Sequence, residues 1–312
     1  MLYIDKSKHK AEGKQVTIDY LQTCCLGTDG RYHNIRYDKR DSGENKTFCE
    51  YNHHEYRKRL INILLENQHN LCCYCLRKLK TAQSDEASDK VVTLEHIILR
   101  SIIQPDTATL SYYQGVQELS PAEVVVTDEY ESSTFNQSGT AHPHKVAYNN
   151  IVASCNGTFP YVRNINEGKS KICCNEARKN ENAYPIYFMP NIHLYIDYTD
   201  KGDIQGNCID YSDLYNKIED VIRNTNLYCD SLKQIRMLWF ILSHVSKEDI
   251  YSCHTPYQRD DLLSRELYKS EFFDPDVTPI LHDKFKLDDY WNTFMLYDVF
   301  YDIYNGRIPE WN

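Results

Sequence analysis

The chain has twelve cysteines among 312 residues, and six of them fall at Cys72, Cys73, Cys75, Cys155, Cys173 and Cys174. That grouping limits what the chain can fold into more than any other feature. Disulfide frameworks belong to short secreted chains in oxidising compartments. This chain is long, and its first residues, MLYIDKSKHKAEGK, hold no apolar leader core. The expectation is a reduced, cytoplasmic protein whose clustered thiols bind metal. Cys24, Cys25, Cys49, Cys208, Cys229 and Cys253 read instead as ordinary buried thiols, since free cysteine packs as a small hydrophobe. No apolar stretch approaches the roughly 20 residues of a membrane helix, so no membrane span is expected.

Cys72-x2-Cys75 has the spacing of one half of a zinc knuckle, where two thiolates reach one tetrahedral ion. Alone it is weak, and two buried thiols would look the same. A second pair strengthens it. Cys155 and Cys174 are far apart in sequence, so the fold must bring them back. One tetrahedral ion takes four ligands, which leaves Cys73 and Cys173 as neighbours. Between the two halves stands Glu95-His96. A carboxylate beside an imidazole suits metal-assisted hydrolysis: the carboxylate binds a hard cation and neutral histidine takes a proton from water. Asn149-Asn150 precedes Cys155 and reads as the cap of a helix over 148–155.

Charge is uneven. The formal total is -10, but residues 1–71 carry +2, 72–182 carry -2 and 183–312 carry -10. Residues 101–144 contain six acids and no Lys or Arg; without them the middle segment is +4. A locally basic, cysteine-bearing core therefore sits in an acidic chain, and counterion release needs only local positive charge. The expected organisation is an N-terminal helical and loop segment (1–71), a central domain (72–182) with an insertion at 101–144, and an acidic helical domain (183–312). Pattern predicts a strand within 1–20, a helix in 51–70, a strand at 91–98 and a short helix at 174–183. Loops are expected at 27–50, 81–90 and 156–172. A hairpin is expected around a turn at Lys201-Gly202-Asp203, with four helices beyond residue 211 and a stop at Gly306. Trp239, Phe240, Trp291 and Phe294 read as core.

The order C-x2-C, E-H-I-x-x-R-S, N-N-I-x-x-x-C, C-N-x-x-R-K resembles the HNH endonucleases of the ββα-metal (His-Me finger) class. The residues that carry it are Cys72, Cys75, Glu95, His96, Arg100, Ser101, Asn150, Cys155, Cys174 and Asn175. More narrowly, the M-x-x-I-x-K-S start, the L-C-x-Y-C run and Y-N-N-I-V-A-S-C are similar to the HNH subunit of the Septu and retron-associated anti-phage systems. The motifs span about 72–180. Two departures stand out: Leu99 where relatives often have Pro, and a long gap between Cys155 and Cys174.

The resemblance implies an α+β fold, mostly α-helical, with a zinc-stapled ββα finger set in a helical scaffold. It implies that Cys72, Cys75, Cys155 and Cys174 hold structural Zn2+. His96 would be the general base, and Glu95 and Asn175 would hold a catalytic Mg2+ or Mn2+. Asn150 would orient His96 and brace the finger. Arg100, Arg178 and Lys179 would meet phosphates. Implied partners are nucleic acid (DNA, or RNA such as tRNA) and an ABC/SMC-like ATPase subunit. The competing reading is a zinc-stapled binding module without catalysis, in which Glu95 and His96 are surface groups. A redox protein built on Cys72-x2-Cys75 lacks the usual strand-Cys-x-x-Cys-helix setting.

Overall fold

The computed structural model describes residues 1–32, 54–79, 92–102, 107–127, 135, 139–157, 172–208, 211–275, 278–279 and 297–305. Most of the expected loops at 27–50, 81–90 and 156–172, together with Gly306, Trp291 and Phe294, lie outside these residues.

The centre is an antiparallel pair, β1 (Val92–His96) and β2 (Ile151–Cys155), registered from Val92 opposite Cys155 to His96 opposite Ile151. Every residue of β2 is buried. Helix α1 (His54–Asn67) and the five-residue helix α2 (Cys174–Arg178) both pack against it. A strand buried on both sides is a continuous apolar run, and Ile-Val-Ala-Ser-Cys fits that pattern. The expected helix over 148–155 is therefore corrected. Only Tyr148–Asn150 coils, as one 3-10 turn, before β2 begins. The β-branched Ile151 and Val152 favour the strand.

The N-terminus is also corrected. Residues Lys10–Tyr20 form a helix, αN, where a strand was expected. Its buried side carries Gly13, Lys14, Val16, Thr17 and Tyr20, so polar and small residues hide the helical period. Gly13 lies so near the Tyr148 ring that an added Cβ would sit 2.3 Å from it. Ahead of αN, Lys6 reaches inward. Its Nζ donates to the carbonyls of Tyr148 and Ile151 and lies 4.3 Å from the centre of the Tyr148 ring. Burial lowers the Lys6 ammonium to about 7.

The described parts of 101–144 are knitted into the core. Tyr113, Val116, Leu119, Val124, Phe135 and His142 are buried. Val124–Val125 pairs in parallel with His142–Pro143. Glu123 receives Lys10 and Lys14 of αN at 2.7 and 2.8 Å, and Asn149 at 2.7 Å.

Beyond α2, β3 (Ile196–Tyr198) and β4 (Ile204–Gly206) form the expected hairpin. Gly202, at φ +75, turns it where a Cβ would lie 2.0 Å from the Lys233 carbonyl. Helices α3 (Ser212–Asn224), α4 (Asp230–Leu242), α5 (Lys247–Ser252), α6 (Pro256–Leu267) and α7 (Tyr297–Tyr304) follow. Helix α6 starts in a capping box between Thr255 and Gln258, with Pro256 in its first turn. Trp239 is buried as expected and stacks on Phe300 at 4.8 Å, while Phe240 is half-buried against the core. One continuous buried cluster includes residues of all three sequence segments. The fold mixes helices with small sheets. Among the described residues no helix is long and apolar enough to cross a membrane.

Candidate metal centre and adjoining cavity

Cys72 and Cys75 lie on a tight turn closed by a bridge between Leu71 and Lys78, with Leu76 in the left-handed region at φ +63. Cys155 ends β2, and Cys174 opens α2. The sulfurs of these four buried residues all lie within 4.8 Å of one another. Four thiolates each ~2.3 Å from a central zinc would stand about 3.8 Å apart along the tetrahedron edges. Cys72 to Cys174 and Cys75 to Cys155 are each 3.8 Å. Four buried cysteines so placed could hold a metal ion such as zinc, and the expected set is the set brought together.

Cys174 sits at φ +54, a left-handed conformation that costs a non-glycine residue roughly 1–2 kcal/mol. Its N–H donates to the Thr225 carbonyl at 2.8 Å, tying the centre to the end of α3. Gly157 packs against the preceding residue; at φ +71, its Cβ would lie 2.0 Å from the Cys173 carbonyl. Burial pushes the Cys174 thiol well up. At Cys72 burial also works upward, but hydrogen bonds from Cys155 and the other thiols outweigh it and lower that thiol.

Beside the cluster is a cavity of about 120 Å³ lined by Glu95, His96, Arg100, Asn175, Arg178 and Lys179, together with Leu94, Leu99, Ser101 and Asn180. His96 ends β1. Its Nε2 lies 2.8 Å from the Lys145 carbonyl. A carbonyl only accepts, so the ring proton sits on Nε2 and Nδ1 keeps its lone pair. Burial first, then the Arg100 charge, holds the imidazole neutral, down to about 3.

Asn150 was expected to orient His96 and to brace the finger; the ring of His96 bonds to the Lys145 carbonyl instead, and bracing is the part Asn150 plays. Asn150 is fully buried and braces the turn after β1. Its Oδ1 accepts from the Ile98 N–H at 2.7 Å, and its Nδ2 donates to the carbonyls of Ile98 and His144 at 3.0 and 2.7 Å. Asn150→Ala orphans three buried backbone groups and is expected to cost about 2–4 kcal/mol. Denaturant unfolding checks this, and a loss below ~1 kcal/mol would contradict the bracing role.

Arg178 was expected to meet phosphate, and this too is corrected. It is 1% exposed. Its Nε donates to the Glu181 carbonyl at 2.9 Å, Nη1 to the His96 carbonyl at 2.8 Å, and Nη2 to the Ile97 carbonyl at 2.8 Å. It also pairs with Glu95 Oε1, which accepts from the Tyr74 hydroxyl at 3.2 Å. Burial pushes the Glu95 carboxyl up, and Arg178 opposes that rise. Lys179, at φ +52, ends α2 and is exposed beside the cavity, and Arg100 is half-exposed there.

Three contributors escaped the sequence reading. Gln68 clamps the end of α1 to β2: its Nε2 donates to the carbonyls of Leu71 and Ala153 at 2.8 Å, and its Oε1 accepts from the Ala153 N–H at 2.7 Å. Tyr74 lies inside the knuckle yet points at Glu95. Lys145 acts through its carbonyl, which no side-chain pattern reveals.

Among the described residues, every side-chain hydrogen bond of Glu95 goes to Oε1, leaving Oε2 without a protein partner. Asn175 lines the same cavity. A carboxylate oxygen and an amide oxygen are of the donor class that hard divalent cations take. No family model, no curated protein and no solved structure matches this chain.

Proposed function

We propose that the chain is a metal-dependent endonuclease of the HNH type, hydrolysing phosphodiester bonds, with DNA the favoured substrate. The observation that supports this reading most is one cavity, at the end of an antiparallel pair and against a short helix, that collects His96, Glu95, Asn175, Arg100 and Lys179 beside four clustered thiols.

Each residue has a role that follows from its position. His96 takes a proton from water at Nδ1, since Nε2 is committed to the Lys145 carbonyl. A phosphate entering the cavity raises the basicity of that ring by adding negative charge beside it. Arg100 and Lys179 receive phosphate oxygens. Glu95 and Asn175 hold the divalent cation. When bound, such an ion neutralises charge on the scissile phosphate and the leaving oxygen. Arg178 keeps Glu95 and the backbone of His96 and Ile97 in place. The acidic segment 183–312 offers no basic track for a nucleic-acid backbone. We assign it to contact with an ATPase subunit of an anti-phage system, which would supply part of the binding surface.

The test is cleavage of plasmid DNA and of total tRNA by the full chain with Mg2+ or Mn2+, with and without an ATPase subunit of such a system. Cutting is expected, with a loss of about 10²–10⁴-fold in His96→Ala and no change in bound zinc. The cut substrate decides DNA against RNA. Zinc at one per chain with no cutting under any condition would overturn the nuclease and leave a binding module.

A further inference from the structure

We propose that Cys173 is a reserve ligand of the metal centre, able to take the place of Cys174 on the ion. This rests on the reading of the four-thiol cluster as a metal site.

The cluster has a fifth buried sulfur at its edge. Cys173 Sγ lies 3.3 Å from Cys174 Sγ, closer than the 3.8 Å spacings between the ligands themselves. Both residues are fully buried. Cys173 stands outside the mutually close four, so it is a neighbour and not a fifth simultaneous ligand.

The backbone distinguishes the two residues. Cys173 is extended, at φ -132 and ψ -176, a region open to any residue. Cys174 is left-handed, at φ +54, where a cysteine is strained. The ligand in use is thus the one held in the costlier conformation, with an unstrained thiol adjacent. Cys173 is also anchored: its N–H donates to the Gly157 carbonyl at 3.1 Å, so its sulfur stays beside the cluster if Cys174 leaves.

The exchange balances without any oxidant. The Cys173 thiol gives up its proton and its sulfur bonds to the ion. The bond from the ion to the Cys174 sulfur breaks, and Cys174 takes up a proton. The ion keeps four thiolates and the centre keeps its charge. Ligand exchange at zinc is faster when an incoming thiolate is already beside the leaving one. Cys173 therefore also provides a route for metal transfer to an outside acceptor.

The experiment substitutes Co2+ for zinc in the full chain and reads the sulfur-to-cobalt absorption, whose intensity follows the number of bound thiolates. The wild type and Cys173→Ser are expected to give four-thiolate spectra. Cys174→Ser is expected to keep a four-thiolate spectrum, and Cys173→Ser with Cys174→Ser to drop to three. A three-thiolate spectrum for Cys174→Ser alone overturns the proposal. Absence of a thiolate spectrum in the wild type overturns the metal reading itself. Because Cys174→Ser can fail to fold, zinc release to a chromogenic chelator is measured on Cys173→Ser, which leaves all four ligands intact. Release several-fold slower than wild type is expected, and an unchanged rate also overturns the proposal.

Discussion

Stripping the metal that the four cysteines could hold from the purified full chain is expected to melt the structure around them. Circular dichroism and thiol labelling should report the loss of β1, β2 and α2 as ordered elements. The four sulfurs come from three separated stretches, the turn at 72–75, the end of β2 and the start of α2. Without an ion, four thiols share a buried pocket in which Cys174 is strongly disfavoured as a thiolate. Structural zinc is worth about 10–16 kcal/mol in isolated finger peptides, more than the whole stability of most domains. A five-residue helix such as α2 has no independent stability. Cys155→Ser should reproduce the effect of the chelator. Cys25→Ser, at a buried thiol outside the cluster, should cost no more than an ordinary core change, about 1–2 kcal/mol. Unchanged dichroism and unreactive thiols after complete metal removal would contradict the role given to the cluster.

Replacing Arg178 alone should be nearly as damaging. Arg178→Met removes the partner of Glu95 and four further hydrogen bonds, and leaves a carboxylate about 4% exposed with only Tyr74 beside it. Breaking a buried pair from one side costs roughly 3–5 kcal/mol, because the remaining charge stays buried. Glu95→Gln added to Arg178→Met should recover part of that loss by removing the orphaned charge. The cycle distinguishes an ion pair from simple packing: without coupling, the double variant would equal the sum of the singles. Arg178→Lys should rescue poorly, since an ammonium cannot span the carbonyls of His96, Ile97 and Glu181 as the planar fork does.

The cysteine cluster was more legible in the sequence than the path of the backbone. Cys72 and Cys75 were legible because a tetrahedral ion imposes a knuckle spacing, whereas between Cys173 and Cys174 the sequence left the choice open, and only the fold groups Cys174 with the other three. The hairpin at 196–206 and the helices beyond 211 were legible from local period and turn residues. Strand β2 was not, because Asn149-Asn150 resembles a helix cap and only pairing with the distant β1 decides otherwise. Helix αN was hidden because its inner side is built of Gly13, Lys14 and Thr17, chosen by Tyr148 and Glu123 and not by hydrophobicity. Arg178 misled for a related reason. A basic residue one turn after a ligand looks like a phosphate contact, and only the fold shows it turned inward to three carbonyls. His96 lines the cavity, but the partner of its ring is a main-chain oxygen, which no side-chain pattern reveals.

The Asn150 side chain pairs with Ile98 as a peptide group would, accepting from its N–H and donating to its carbonyl. An amide used in this way is exposed to chemical ageing in a manner that a real peptide group is not. Deamidation to aspartate would turn the donor into an acceptor facing the carbonyls of Ile98 and His144, so attraction at both contacts becomes repulsion. One unit of mass would then separate a braced turn from an unbraced one. Asn150→Asp, which makes that change directly, should therefore lose more stability than Asn150→Ala.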